Sequence, residues 1–219
     1  MSAHKAPIYF EDNPRIDDVA FAVVPYDSFS GRVVASGVKA TVEGLLDRPI
    51  RNLSGHLVFI NLDQQAAYSV TIDASEAGYF SPVKATFPSA ANPAAARRLV
   101  VPLVRGPSYP YAEATTLIRG VVVRSGKAVL GASISIGPAS GAQFKTTSDG
   151  RGVFALPLSR RREPDESPSK PYLVKLYLNQ GDDARTLDVM ITEGQSHSFK
   201  EPIDLIEANE PKFFDSHEP

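Results

Sequence analysis

The chain has 219 residues, enough for one large domain or for two of roughly 100. Hydrophobic residues make up 42%, which permits a packed core, and 23 Lys and Arg against 25 Asp and Glu leave a formal charge of −2, which excludes a basic field for nucleic acid. Cysteine is absent, so a disulfide scaffold is excluded, and no run reaches the roughly 18 apolar residues of a membrane span.

Residues 1–17 are polar and Pro-bearing and read as an extended arm. Met1-Ser2-Ala3-His4-Lys5-Ala6-Pro7 lacks the apolar stretch of a signal peptide, so cytosolic synthesis is expected, followed by a cytosolic life or release on a particle. A first module is expected over 18–105. Val19-Ala20-Phe21-Ala22-Val23-Val24 reads as a buried strand, and Pro25-Tyr26-Asp27-Ser28 punctuates it. Val38-Lys39-Ala40-Thr41-Val42, Tyr68-Ser69-Val70-Thr71-Ile72 and Val83-Lys84-Ala85-Thr86-Phe87 alternate apolar with polar, the pattern of half-buried strands. The turn Asn52-Leu53-Ser54-Gly55 leads into Leu57-Val58-Phe59-Ile60. One helical turn is expected at Ala94-Ala95-Ala96-Arg97, before the strand Leu99 to Val104.

Residues 106–115 are too rich in Pro for a central strand and read as a connector. A second module is expected over 116–206. It opens with Thr116 to Val123, alternates strictly at Ala132-Ser133-Ile134-Ser135-Ile136, and turns at Ser148-Asp149-Gly150-Arg151-Gly152 before Val153-Phe154. Asp149-Gly150 reads as the tight turn, with Gly150 taking positive φ. Arg160 to Lys170 reads as a charged loop, Tyr172 to Leu178 as a strong strand, and 207–219 as a loosely held acidic tail. Short strands with turn signals between them, and 18 Pro with 15 Gly, point to an all-β chain of antiparallel sandwiches.

One pattern occurs twice. Gly37-Val38, Ser54-Gly55 and Val58-Phe59 return in order as Gly131-Ala132, Asp149-Gly150 and Val153-Phe154. This implies two tandem modules. The second also carries Ile118-Arg119-Gly120-Val121-Val122, Thr147-Ser148-Asp149-Gly150 and Tyr172-Leu173-Val174, and on these motifs it resembles the carboxypeptidase regulatory-like domain. That resemblance implies an Ig-like, transthyretin-like (prealbumin-like) sandwich in which Phe154 points inward with Ile134 and Leu173. The first module fits less closely, with Ser54 at the place of Asp149. Family members are mostly accessory domains that space, stiffen or bind. The tandem arrangement around Pro107-Ser108-Tyr109-Pro110-Tyr111 more weakly resembles accessory proteins of phage-tail-like contractile particles.

No motif for catalysis is present: no G-x-S-x-G, no phosphate loop, no Cys nucleophile. His4, His56, His197 and His217 have no partner at metal spacing and read as exposed turn or terminal residues. The Tyr-Arg-Gly-Ser ending of the 5-hydroxyisourate hydrolases, which share the transthyretin-like fold, is missing. No enzyme, metal or cofactor is expected.

Four aromatics are candidate partner contacts. Tyr109 and Tyr111 either stack on a sugar or protein partner or pack in the seam between modules. Phe213 and Phe214 dock on this chain's own sandwich or on another chain. The reading is a non-enzymatic spacer or adaptor in a larger protein assembly, with pairing to a second copy through open edge strands as a further option. The alternative is a carbohydrate- or small-ligand-binding module.

Overall fold

The computed structural model describes residues 19–45, 48–62, 67–88, 97–113, 115–137, 144–158, 170–207 and 213–215. The amino-terminal arm, the helical turn expected at Ala94 to Ala96, and most of the Arg160 to Lys170 loop lie outside them. Within them the chain is all-β, and its only helical piece is a single 3-10 turn over Ser75–Ala77.

The first half forms β1 (Val19–Asp27), β2 (Lys39–Val42), β3 (Ile50–Arg51), β4 (Leu57–Ile60), β5 (Ala67–Asp73), β6 (Val83–Pro88) and β7 (Arg98–Leu103). Two sheets result, ordered β3-β4-β1-β7 and β2-β5-β6. The alternation read in β2 and β5 places Ala40, Val42, Tyr68, Val70 and Ile72 inside. Phe21 of one sheet stacks on Phe59 beside it at 5.0 Å and on Phe87 of the other sheet at 4.5 Å. Such offset aromatic contacts add specificity to apolar burial. β1 runs on through Pro25, which is itself buried, so the punctuation expected there is not a strand end.

The second half forms β8 (Thr116–Arg124), β9 (Lys127–Ala128), β10 (Ser133–Ile136), β11 (Phe144–Thr147), β12 (Val153–Leu158), β13 (Tyr172–Gln180), β14 (Asp183–Ile191), β15 (Ser196–Phe199), β16 (Ile203–Asp204) and β17 (Phe213–Asp215). Its sheets are β11-β10-β13-β14 and β12-β8-β15-β17, with β9 and β16 also on β8. Phe154 lies across from Gly120, and a Cβ on Gly120 would stand 2.8 Å from its ring. Leu173 faces outward, 58% exposed, because the inward register of β13 falls on Leu176 and Leu178. The expectation that Leu173 packs on Phe154 is therefore off by one residue, which in a strand means the other face. His197 is 2% exposed and accepts the Thr192 N–H, not the exposed turn histidine expected. Within the expected acidic tail, β17 pairs antiparallel with β15.

The duplication extends to topology. β4-β1-β7 over β2-β5-β6 becomes β12-β8-β15 over β10-β13-β14, and in both halves the first and last of these strands pair parallel. Gly37 and Gly131 take φ of 66° and 74° at matching places. The turn matches too, but two residues away from the sequence alignment. Asn52 Oδ1 accepts the N–H groups of Ser54 and His56, as Asp149 Oδ1 accepts those of Arg151 and Val153. Gly55 and Gly152 hold the positive φ, 81° and 75°. Asn52, not Ser54, thus stands for Asp149, and Gly150 is not the left-handed residue. A shift of two keeps each strand's inward face, so Leu57 matches Phe154 and Phe59 matches Leu156.

Candidate functional site at the junction of the two sandwiches

β1 ends inside the protein on a carboxylate. Asp27 Oδ1 accepts the N–H groups of Phe29 and Ser30, both at 2.8 Å, which closes the turn that follows. Oδ2 accepts the Tyr79 hydroxyl at 2.8 Å and Arg105 Nε–H at 2.7 Å. Parallel pairing brings these groups together: Asp27 lies opposite Leu103 at the end of β7, so Arg105 follows directly beside it. Tyr79 arrives from the 3-10 turn and bridges to Arg105 through the backbone.

Arg105 is the hub of an aromatic cluster. Its guanidinium carbon lies 4.5 Å from the Phe29 ring centre, 4.4 Å from Tyr109 and 5.8 Å from Tyr111. Tyr79 meets Tyr109 edge-on at 5.1 Å, and Tyr109 meets Tyr111 likewise at 5.0 Å. Arg119 of β8 reaches back from the second half. Its guanidinium carbon is 5.6 Å from the Tyr111 ring centre, and it donates to Pro107 O at 3.0 Å. Partly desolvated cation–π contacts of this kind contribute about 1 kcal/mol each. The connector is also fixed through its backbone. Gly106 N–H donates to Gly78 O, and the Gly78 Cα passes so close to Tyr109 that a Cβ would stand 2.6 Å from the Tyr109 Cα.

Burial raises the Asp27 pKa, but the hydrogen bonds from Arg105, Ser30 and Tyr79 and the Arg105 charge outweigh it, so the carboxyl is held below its ordinary 3.8. Burial, and then the bond to Asp27, raise the Tyr79 phenol. Burial pushes Tyr111 up to about 12 against the pull of Arg105 and Arg119. Four donors fill the acceptor positions of the Asp27 carboxylate, which leaves it no site for a substrate proton. The arrangement fastens three segments of the first half and receives one cation from the second.

Of the sequence candidates, Tyr109 and Tyr111 are half-buried members of this cluster. Phe213 and Phe214 lie in β17, where they pair with Phe199 and Ser198 of β15. Asp27, Tyr79, Arg105 and Arg119 were not legible as a set, because only strand pairing joins positions so distant in sequence. The available signal was an Asp closing an otherwise apolar strand, which demands a buried cation or several donors.

Beside the cluster lies a cleft of about 480 Å³ between Ser28, Phe29, Val104 and Arg105 on one side and Phe144, Lys145, Thr147 and Pro157 on the other. Among the described residues there is no group of acidic and histidine side chains that would hold a metal, and no helix long and apolar enough to cross a membrane.

The sequence matches no family model and no curated protein. Among solved structures, the Bacillus anthracis TIE protein is similar at 15% identity and a TM-score of 0.31, over 85% of this chain and 34% of that one. This chain therefore spans about a third of that protein's length. The shaft pilin SpaA from Lactobacillus rhamnosus GG gives 13% identity and 0.30 over 84% and 96% of the two chains. A streptococcal ancillary pilin gives 10% and 0.28 over 94% and 60%. Both measures are low throughout, and the all-β, tandem-sandwich fold rests on the chain's own strand pairings.

Proposed function

We propose that this chain is a non-enzymatic structural and interaction protein, a spacer or adaptor in a larger protein assembly. In this reading residues 18–105 and 116–206 are the two sandwiches and 106–115 the joint. The observation that carries it is the junction itself. A buried ion pair, a ladder of three tyrosines and a cation from β8 fix the connector where a flexible linker would serve an independent binding module. Tyr109 and Tyr111 then set the angle of the joint, and the tail strand at Phe213 and Phe214 closes an edge of the second sandwich. A phage-tail-like contractile particle is the assembly that the sequence resemblance suggests, and co-purification with tube or sheath proteins tests that setting.

A chain without cysteine allows clean labelling. Spin labels at Leu53→Cys and Leu173→Cys, both exposed, report the separation of the two sandwiches. One narrow distance distribution is expected, broadened in Arg119→Ala. A broad distribution in the otherwise unchanged protein overturns the spacer reading. A second reading, a carbohydrate-binding module, draws on the cleft, where Phe29 is 41% exposed beside the hydroxyls of Ser28 and Thr147. A glycan array without hits removes it.

A further inference from the structure

The two sandwiches differ at one edge. β10 has β13 on one side and β11 on the other, whereas among the described residues β2 has β5 alone, because the strand equivalent to β11, namely β3, pairs with β4 in the opposite sheet. The Glu43 N–H donates to Ser69 O, so odd-numbered residues of β2 turn their backbone groups toward β5 and even-numbered ones turn outward. Two outward carbonyls are occupied. Val38 O accepts from the Arg51 guanidinium, and Val42 O accepts the Leu45 N–H. In the second sandwich the place of that Arg51 bond is taken by a backbone bond, Ser148 N–H to Ala132 O. The Ala40 N–H and C=O and the Val42 N–H have no partner among the described residues.

A groove of about 510 Å³ runs along this edge, between Val38 and Ala40 on one side and Arg48, Pro49, Arg51 and Leu57 on the other. Lys39 at its rim is paired with Glu76. Among the described residues no acid meets Arg48 or Arg51. The groove therefore suits an extended segment with apolar side chains on one face and carboxylates at one end.

We propose that Ile8-Tyr9-Phe10-Glu11-Asp12 of the same chain adds to β2 as an antiparallel strand, in the position that β11 takes on β10. The segment consists of three strong β-formers followed by two acids. With Phe10 opposite Ala40, the unpaired Ala40 groups exchange hydrogen bonds with Phe10. Ile8 and Phe10 then share the inward side with Val42 and Ala40, Glu11 stands across from Lys39, and Asp12 falls beside Arg51. Reach is sufficient: Asp12 to Val19 spans up to about 24 Å when extended. Only about 14 Å of β1 separates Val19 from Val23, and Val23 lies opposite Leu57 in the groove wall. A tethered segment acts at an effective concentration on the order of millimolar, which favours the chain's own edge over that of another copy in dilute solution.

The test uses the full chain. Tyr9 and Thr41 form a non-hydrogen-bonded pair in this register, with Cα atoms about 4.5 Å apart, within the range of a disulfide. The double variant Tyr9→Cys with Thr41→Cys is expected to close a disulfide within one chain at least about tenfold faster than Ile8→Cys with Thr41→Cys, whose thiols point to opposite faces. Independently, the Ala40 amide is expected to exchange on the order of 100-fold more slowly in the unaltered chain than in Phe10→Asp. Equal closure rates, a disulfide that forms only between two chains at micromolar concentration, or an Ala40 amide indifferent to Phe10→Asp would each overturn the proposal. None of these outcomes bears on the junction, so the spacer reading stands or falls separately.

Discussion

Asp27 keeps its charge inside the first sandwich because four donors surround it, and Arg105 is the only cation among them. The two side chains are 4% and 14% exposed, so water can replace little of what either loses. Removing one partner of such a pair strands the other. Arg105→Met should therefore destabilise the first sandwich by about 3 kcal/mol, read as a lower urea midpoint. The pH dependence follows from the direction of the shift. The folded carboxyl sits below its ordinary 3.8, so its contribution is complete above the unfolded pKa and is lost as pH falls through the lower, folded value. The urea midpoint of the first sandwich should fall below about pH 4, and the part of that fall due to Asp27 should be missing in Asp27→Asn. An equal acid response in both proteins would mean that the carboxylate is not tuned by its donors.

The turns between strands show where sequence reading holds and where it slips. Asp149-Gly150 looks like a two-residue hairpin turn, yet Gly152 has the positive φ, and a Cβ there would lie 2.3 Å from Val122 O. Nothing lies within 4 Å of a Cβ built on Gly150. Gly152→Ala should cost at least about 2 kcal/mol and Gly150→Ala no more than about 0.5 kcal/mol, measured by chemical unfolding. The reverse order would restore the simpler turn. Strand alternation was readable because a period of two follows from strand geometry: Val38 to Val42 and Tyr68 to Ile72 take the faces expected of them, whereas in Ser133 to Ile136 Ser135 is buried along with Ile134. Registers and partners were not. Asn52 performs the task of Asp149 two residues from its apparent match. Arg51 and Ser148, unlike in chemistry, clasp the same loop: Arg51 bonds Ala35 O and Val38 O, and Ser148 bonds Val129 O and the Ala132 N–H. Equivalent geometry reached through a guanidinium in one copy and a hydroxyl in the other leaves no shared letters to align.

At the scale of the molecule, the repeat foretold two bodies of the same topology but not the joint, since Asp27, Tyr79 and Arg105 share a site only after β1 and β7 have paired. Two separate interiors result. One gathers Phe21, Phe59, Phe87 and Leu103 with Tyr109 packed against it; the other gathers Ile118, Ile134, Phe154 and Leu176. Among the described residues they share none, and the link between them runs through the connector, where Arg119 supplies one hydrogen bond and one ring contact. Links of that size amount to a few kcal/mol at most, less than the stability of a domain of about 100 residues. Calorimetry should therefore resolve two transitions. Arg105→Met should lower one of them and Gly152→Ala the other, while Arg119→Ala leaves both midpoints nearly in place and widens only the interdomain distance. A single transition displaced equally by Arg105→Met and Gly152→Ala would mean that the halves melt as one body, and the chain would then be one elongated domain instead of two units held at a joint.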